Sequence, residues 1–246
     1  TAIVAALTFA MSPLVIIWGR VAVSDALLCS TLGTCLILQW RRYANPDGEV
    51  WWLSWFFLSL AVLTKGPVAL VLSGLTIFCF ALFQRDLARI LKIIKVIPGL
   101  FIVFIVSFPW YLIELLVEGQ PFIDSFFGYH NLQRFTSVVN YHGEPWWFFI
   151  IVMSIASLPF TPFLFISIWS NFCNVFKFNR RVVKEPDKSL FEFAFFWLIS
   201  VFIFFTIAAT KLPSYWLPAT PAASILISFS LTNHIKDDFL KSLSWK

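Results

Sequence analysis

Apolar residues run through this chain in eight long stretches, near 1–18, 22–40, 51–64, 67–83, 93–116, 146–171, 190–209 and 213–232, separated by short polar turns. A helix needs about 20 apolar residues to cross a hydrocarbon core. The pattern therefore predicts an all-α membrane protein, a polytopic bundle of about eight transmembrane helices, with the third stretch the shortest. One connection is too long for a turn, and residues 118–145 are expected to form an external interfacial loop and helix region. Positions 1–246 are read as a single transmembrane domain. The apolar run is already under way at Thr1, without an initiator Met or a basic leader, so the chain is expected to be a fragment of a longer protein.

Composition strengthens the membrane reading: 59% of the residues are hydrophobic, 19% aromatic and only 13% charged, far from the balance of a water-soluble domain. The four cysteines, Cys29, Cys35, Cys79 and Cys173, lie in or at the ends of apolar runs without metal-knuckle spacing, and read as small buried side chains. No phosphate-cradling glycine loop, dinucleotide fingerprint, cysteine cluster or fixed-period repeat is present. ATP-driven transport, nicotinamide chemistry and iron–sulfur redox chemistry therefore have no support.

The net charge of +5 reports topology and not a nucleic-acid partner, because the basic residues are spread over short connections between apolar stretches. Fourteen of the eighteen fall on one side, in the groups 41–42, 85–95, 177–188 and 236–246, whereas Arg20, Lys65, Arg134 and Lys211 fall on the other. The positive-inside rule places the larger group in the cytoplasm. The unusual polar residues are then external, in four regions: Gly19–Asp25, Lys65–Pro67, Glu118–Pro145 and Thr210–Trp216.

Each of these has a plain reading and a chemical one. Asp25 either acidifies the first turn of a helix and pairs loosely with Arg20, or faces a polar cavity, since a carboxylate in a span costs ~3 kcal/mol or more. Lys65, Lys211 and Tyr215 could each be an interfacial anchor. The stretch containing His130, Arg134, His142 and Glu144 is either an aromatic belt or a substrate pocket, in which rings stack on sugars and Arg forks onto phosphate. A metal at His130 has no visible tetrahedral ligand set behind it. Helix packing could bring these turns together, and a cationic cluster at the outer interface suits an anionic lipid such as a polyprenyl phosphate.

The ordered signatures Arg20 to Asp25, Leu63-Thr64-Lys65-Gly66-Pro67, Pro109-Trp110, His130-x-x-x-Arg134-Phe135, His142-x-x-Pro145-x-Trp147, Leu158-Pro159 and Lys211-Leu212-Pro213-x-Tyr215-x-Leu217-Pro218 extend over nearly the whole chain. In this order they resemble the GT-C superfamily of membrane glycosyltransferases, in the branch related to protein O-mannosyltransferases and the lipid A aminoarabinose transferase. The resemblance implies an enzyme that moves a sugar from a polyprenyl-phosphate donor to a lipid, glycan or protein acceptor on the outer face of a bacterial inner membrane, with its active site facing the periplasm or exterior. It implies that Asp25 is a catalytic-site carboxylate, that Lys65, Arg134, Lys211, Tyr215 and His142 bind substrate or phosphate, and that His130 lies near a donor or a divalent metal, the one cofactor candidate. It also implies a principal catalytic acid upstream of Thr1, so that the fragment alone would not turn over. Two rival readings keep the same cations: a transporter or flippase of an anionic lipid or glycan, and a non-catalytic subunit of an envelope-assembly complex.

Overall fold

The structure, a computed structural model, describes residues 1–48, 50–138, 143–175 and 186–244, with side chains left out at 130–132, 174–175, 186–187 and 236–244. Every regular element among the described residues is helical. In chain order they are α1 (Ala2–Met11), α2 (Pro13–Trp18), α3 (Ser24–Ala44), α4 (Trp51–Lys65), α5 (Pro67–Phe83), α6 (Leu87–Ile94) and α7 (Val96–Glu118). A wide-turn π-helix (Ile123–Gln133) follows, then α8 (Phe148–Ala156), α9 (Thr161–Val175), α10 (Pro186–Ile207), a 3-10 segment (Pro213–Ala219) and α11 (Thr220–Ser244). Helix α3 packs on α4, α4 on α7, α5 on α10, and α11 on α1, α9 and α10, while the 3-10 segment wedges between α3 and α10. The side chains of Trp197, Trp216, Phe80, Phe149 and Leu32 fill the centre and are fully buried.

Two helices among the described residues are long and apolar enough to cross a membrane unaided: Val96–Glu118 and, within α10, Lys188–Ile207, each with a mean hydropathy of 2.3. The expected count of eight is therefore not met by helix length. Helices Ala2–Met11 and Pro67–Phe83 are apolar but shorter, and proline divides three of the predicted stretches. Stretch 1–18 breaks at Ser12-Pro13, where Pro13 supplies the first residue of α2 and no backbone donor. Stretch 146–171 breaks at 157–160, between α8 and α9, beside the cis Leu158–Pro159 bond. The two breaks meet, because the Ser12 hydroxyl donates to the Ala156 carbonyl at 2.7 Å. Stretch 213–232 opens as a 3-10 segment holding Pro213 and Pro218 before α11 begins. Helix α7 presents Ile97, Phe101, Phe104, Ile105 and Leu116 outward, an apolar face that a lipid environment accommodates and water does not.

Two glycines are required by geometry. Gly66 joins α4 to α5 with φ 68°, a left-handed conformation that side chains resist, and Pro67 then starts α5. Gly99 lets α7 approach α4, since a Cβ there would stand 1.9 Å from the Trp55 ring. That ring is pinned by a hydrogen bond from its Nε1 to the Ile94 carbonyl at 2.9 Å.

The short helix α6 lies in the basic connection read from sequence only as charge. Its Ile90 and Ile94 are buried, while Arg89, Leu91 and Lys92 are exposed. Beyond α7 the long connection folds back as the π-helix, a geometry frequent at functional sites. The Phe126 ring in this helix stacks at 5.5 Å on that of Phe122 just ahead of it, and Trp110 and Tyr111 of α7 pack against the pair. These aromatics hold one another, whereas Trp146 and Trp147 remain exposed.

Candidate functional site

Four distant turns supply one cluster. Asp25 stands in the first turn of α3, Lys65 ends α4, Arg134 follows the π-helix and Tyr215 lies in the 3-10 segment. Asp25 is 6% exposed. Its Oδ1 accepts a hydrogen bond from the Lys65 ammonium, and its Oδ2 accepts one from the Ser214 hydroxyl at 2.7 Å. Both carboxylate oxygens are thus engaged, and the ionic partner is Lys65, whereas Arg20, offered in one of the two readings of Asp25, has an exposed side chain.

The Lys65 ammonium also lies 4.2 Å from the centre of the Tyr215 ring and 5.8 Å from that of Phe205. Such ring faces favour a cation, the more so where water is displaced. Tyr215 accepts a hydrogen bond on its hydroxyl from Arg134 Nη1 at 3.3 Å. The guanidinium stands 6.0 Å from the Tyr129 ring centre, and its Nε is buried without a hydrogen-bond partner. A buried donor left unpaired is costly unless something else completes it.

Arg134 is placed by backbone, not by its own side chain. The Thr210 amide donates to the Arg134 carbonyl and the Ala209 amide to the Phe135 carbonyl, each at 3.0 Å. The Thr210 hydroxyl adds a bond to the Ser137 carbonyl at 2.9 Å. The segment after the π-helix is thereby stitched to the end of α10.

Beside the cluster is a cavity of about 450 Å³ lined by Lys65, Pro67, Val68, Val71, Phe127, Arg134, Phe135, Phe204, Phe205, Ala208 and Tyr215. Its walls are hydrocarbon and aromatic, and its polar side chains are two cations and one phenol. That combination suits a molecule with an apolar body and an anionic head, which a guanidinium can fork and an ammonium can neutralise as a point charge.

Asp25, Lys65, Arg134 and Tyr215 are therefore brought together. Lys211 is not: it is buried just ahead of the 3-10 segment, makes no ion pair among the described residues and does not line the cavity. His142 lies outside the described residues, as does the side chain of His130. No group of three His, Cys, Asp or Glu side chains gathers as a metal-ligand set among the described residues. Nor do the groups around Asp25 fit a divalent ion, since both its oxygens already accept from an ammonium and a hydroxyl. Sequence reasoning missed Ser214 and Phe205. Ser214 was detectable as the one aliphatic hydroxyl inside Lys211-Leu212-Pro213-Ser214-Tyr215, whereas a phenylalanine among thirty carries no such signal.

No protein-family model matches the chain. It is 32% identical over 180 residues to an uncharacterized protein of Aquifex aeolicus, covering 73% of this chain and 38% of that protein. It is 27% identical over 237 residues to the undecaprenyl phosphate-alpha-4-amino-4-deoxy-L-arabinose arabinosyl transferase 2 of Proteus mirabilis, covering 92% of this chain and 39% of that one. Among solved structures, it superposes on ArnT from Cupriavidus metallidurans bound to undecaprenyl phosphate with a TM-score of 0.76 at 24% identity, over 93% of this chain and 40% of that one. The apo form of ArnT gives a TM-score of 0.66 at 25% identity, covering 85% and 36% of the two chains. The chain thus spans about two fifths of the length of these relatives. In sequence it is similar to undecaprenyl-phosphate aminoarabinose transferases, and its fold is that of part of ArnT.

Proposed function

We propose that this chain is a transmembrane domain, over 1–246, of a glycosyltransferase that takes a sugar from a polyprenyl-phosphate donor and passes it to a lipid, glycan or protein acceptor. The observation that carries the reading is the apolar cavity with Lys65 and Arg134 at its polar end. The first prenyl units would lie along α5 and α10, with the phosphate against the two cations. The likeness to ArnT bound to undecaprenyl phosphate supports that class of donor. Charge asymmetry in the connections supports a bundle of about eight spans and interrupted spans in a bacterial inner membrane, with the cluster facing the periplasm.

The geometry allots roles. As the bond between the sugar's anomeric carbon and the carrier phosphate oxygen breaks, negative charge grows on the phosphate, and fixed cations lower the energy of that state. Lys65 and Arg134 are those cations, and Tyr215 holds the guanidinium by its hydroxyl. Asp25 is a positioning residue: it fixes Lys65 and is itself fixed by Ser214. No carboxylate lines the cavity among the described residues, so the base that takes the acceptor's proton lies elsewhere than in this lining. His142 is a secondary candidate for the substrate's polar end.

Membranes containing the protein are expected to transfer labelled sugar from a polyprenyl-phosphate donor to lipid or protein. An Asp25→Asn variant inserted to the same level is expected to lose about a hundredfold in rate, in the range seen when a transition-state electrostatic contact is removed. Translocation of the donor without sugar transfer would replace the enzyme with a flippase.

A further inference from the structure

A second charged surface lies at the opposite end of the bundle. Asp25 and Arg41 stand sixteen residues apart on α3, roughly 24 Å at the helical rise. Likewise Lys65 ends α4, while Trp51 begins it beneath Lys95, whose ammonium is 4.8 Å from the Trp51 ring centre. At this far end α6 joins α5 to α7 and carries Arg85, Arg89, Lys92 and Lys95 on and beside its exposed side.

Three observations together point to a ligand there. First, Ile90 and Ile94 anchor α6 in the core, and Arg42 Nε donates to the Ile93 carbonyl at 3.3 Å, so the four cations are held on a fixed platform. Second, exposed apolar side chains, Leu82, Leu91, Trp52 and Ile97, accompany them. That mixture of cations and hydrocarbon matches the boundary between lipid headgroups and acyl chains. Third, Arg85 and Lys95 bracket α6 in left-handed backbone conformations, with φ 55° and 58°. Glycine or asparagine is the usual choice at such positions, and other side chains resist them. Two basic residues kept in that conformation suggest that their charge is in use. Among the described residues, Asp86 is the acidic neighbour paired within the group, and its contact with Arg89 at 3.5 Å is exposed to solvent on both sides.

We propose that α6 and its two flanking basic residues form a binding surface for the phosphodiester headgroup of an anionic phospholipid, at the face of the membrane opposite the sugar-transfer site. The assignment requires membrane insertion and is independent of the transfer reaction. Cations near an anionic bilayer surface each add about fivefold in association, and screening by salt weakens the effect.

The test measures how strongly the reconstituted protein selects spin-labelled phosphatidylglycerol over spin-labelled phosphatidylcholine in vesicles made mostly of the latter. The protein is expected to prefer phosphatidylglycerol by about fivefold or more. The combined variant Arg85→Gln, Arg89→Gln, Lys92→Gln and Lys95→Gln is expected to show no preference, and Arg20→Gln, which removes an exposed cation at the other end, the full one. If the combined variant fails to insert, Arg85→Gly with Lys95→Gly supplies the answer, because glycine suits both backbones; it is expected to halve the preference or more. Full selectivity in either α6 variant, or an equal loss in Arg20→Gln, overturns the assignment. Inorganic phosphate is expected to act no differently from chloride at matched ionic strength; specific competition by phosphate would make this a free-anion site and overturn the lipid.

Discussion

Replacing Lys65 by methionine is expected to abolish sugar transfer and to destabilise the protein by about 3–5 kcal/mol, the usual cost of stranding one member of a buried ion pair. The reason is an asymmetry in the cluster. Asp25 is 6% exposed and keeps only the Ser214 hydroxyl once the ammonium is gone. Methionine fills the space but cannot balance the charge. Adding Asp25→Asn to Lys65→Met removes the stranded carboxylate, so the double variant is expected to regain most of the lost stability and none of the activity. Thermal unfolding in detergent and transfer rate, measured side by side on the single and double variants, separate the two contributions. Recovery of both together would make the pair purely structural.

Arg134→Ala is expected to behave in the opposite way, leaving stability nearly intact and lowering transfer by about 10²–10³-fold. Its carbonyl still accepts from the Thr210 amide and the neighbouring Phe135 carbonyl from Ala209, because those bonds belong to the backbone. What is lost is the guanidinium, with one nitrogen on the Tyr215 hydroxyl and a buried Nε without a partner. Arg134→Lys is expected to recover little, since an ammonium cannot both reach the phenol and present a second, planar donor to phosphate. The check is the initial rate at saturating donor for the three forms, with unfolding temperature as control. A lysine variant at the wild-type rate would assign Arg134 the role of a diffuse charge only.

The site residues became legible in the sequence through side and spacing more than through any single motif. Asp25, Lys65, Arg134 and Tyr215 are each ordinary interfacial residues alone, and alternation of spans put them on one side. Alternation could not say which carboxylate met which cation. Arg20 was near Asp25 in sequence, but the start of α3 meets the end of α4, so Lys65 reaches it instead. Lys211 shared the predicted side and is buried away from the cavity, because a turn fixes the level of a residue along the bundle but not its direction around it.

The fold was legible in the same partial way. Helical character followed from apolar runs of span length, yet hydropathy averages over prolines that divide 1–18, 146–171 and 213–232. Pro13, Pro159, Pro213 and Pro218 were visible as punctuation; that the first two breaks would be joined through Ser12 and Ala156 depends on packing alone. Helix α6 was overlooked because Arg85, Arg89, Lys92 and Lys95 were counted as loop charge. Leu87, Ile90, Leu91 and Ile94 recur among them at helical spacing, which was signal enough for an amphipathic helix. The cavity's hydrocarbon walls had no counterpart in sequence, where Val71 and Phe204 look like any other lipid-facing residues.

The central claim is that the cavity between α5 and α10 holds the carrier, head inward against Lys65 and Arg134. Photo-crosslinking tests it most directly, using a polyprenyl phosphate with a diazirine on an isoprene unit near the phosphate, applied to the protein in its membrane. The account predicts labelling at Val68, Val71, Phe204 and Ala208, competition by unlabelled polyprenyl phosphate but not by the uncharged polyprenol, and loss of label in Arg134→Ala. Labelling confined to other helices, or equal competition by the alcohol, would contradict it.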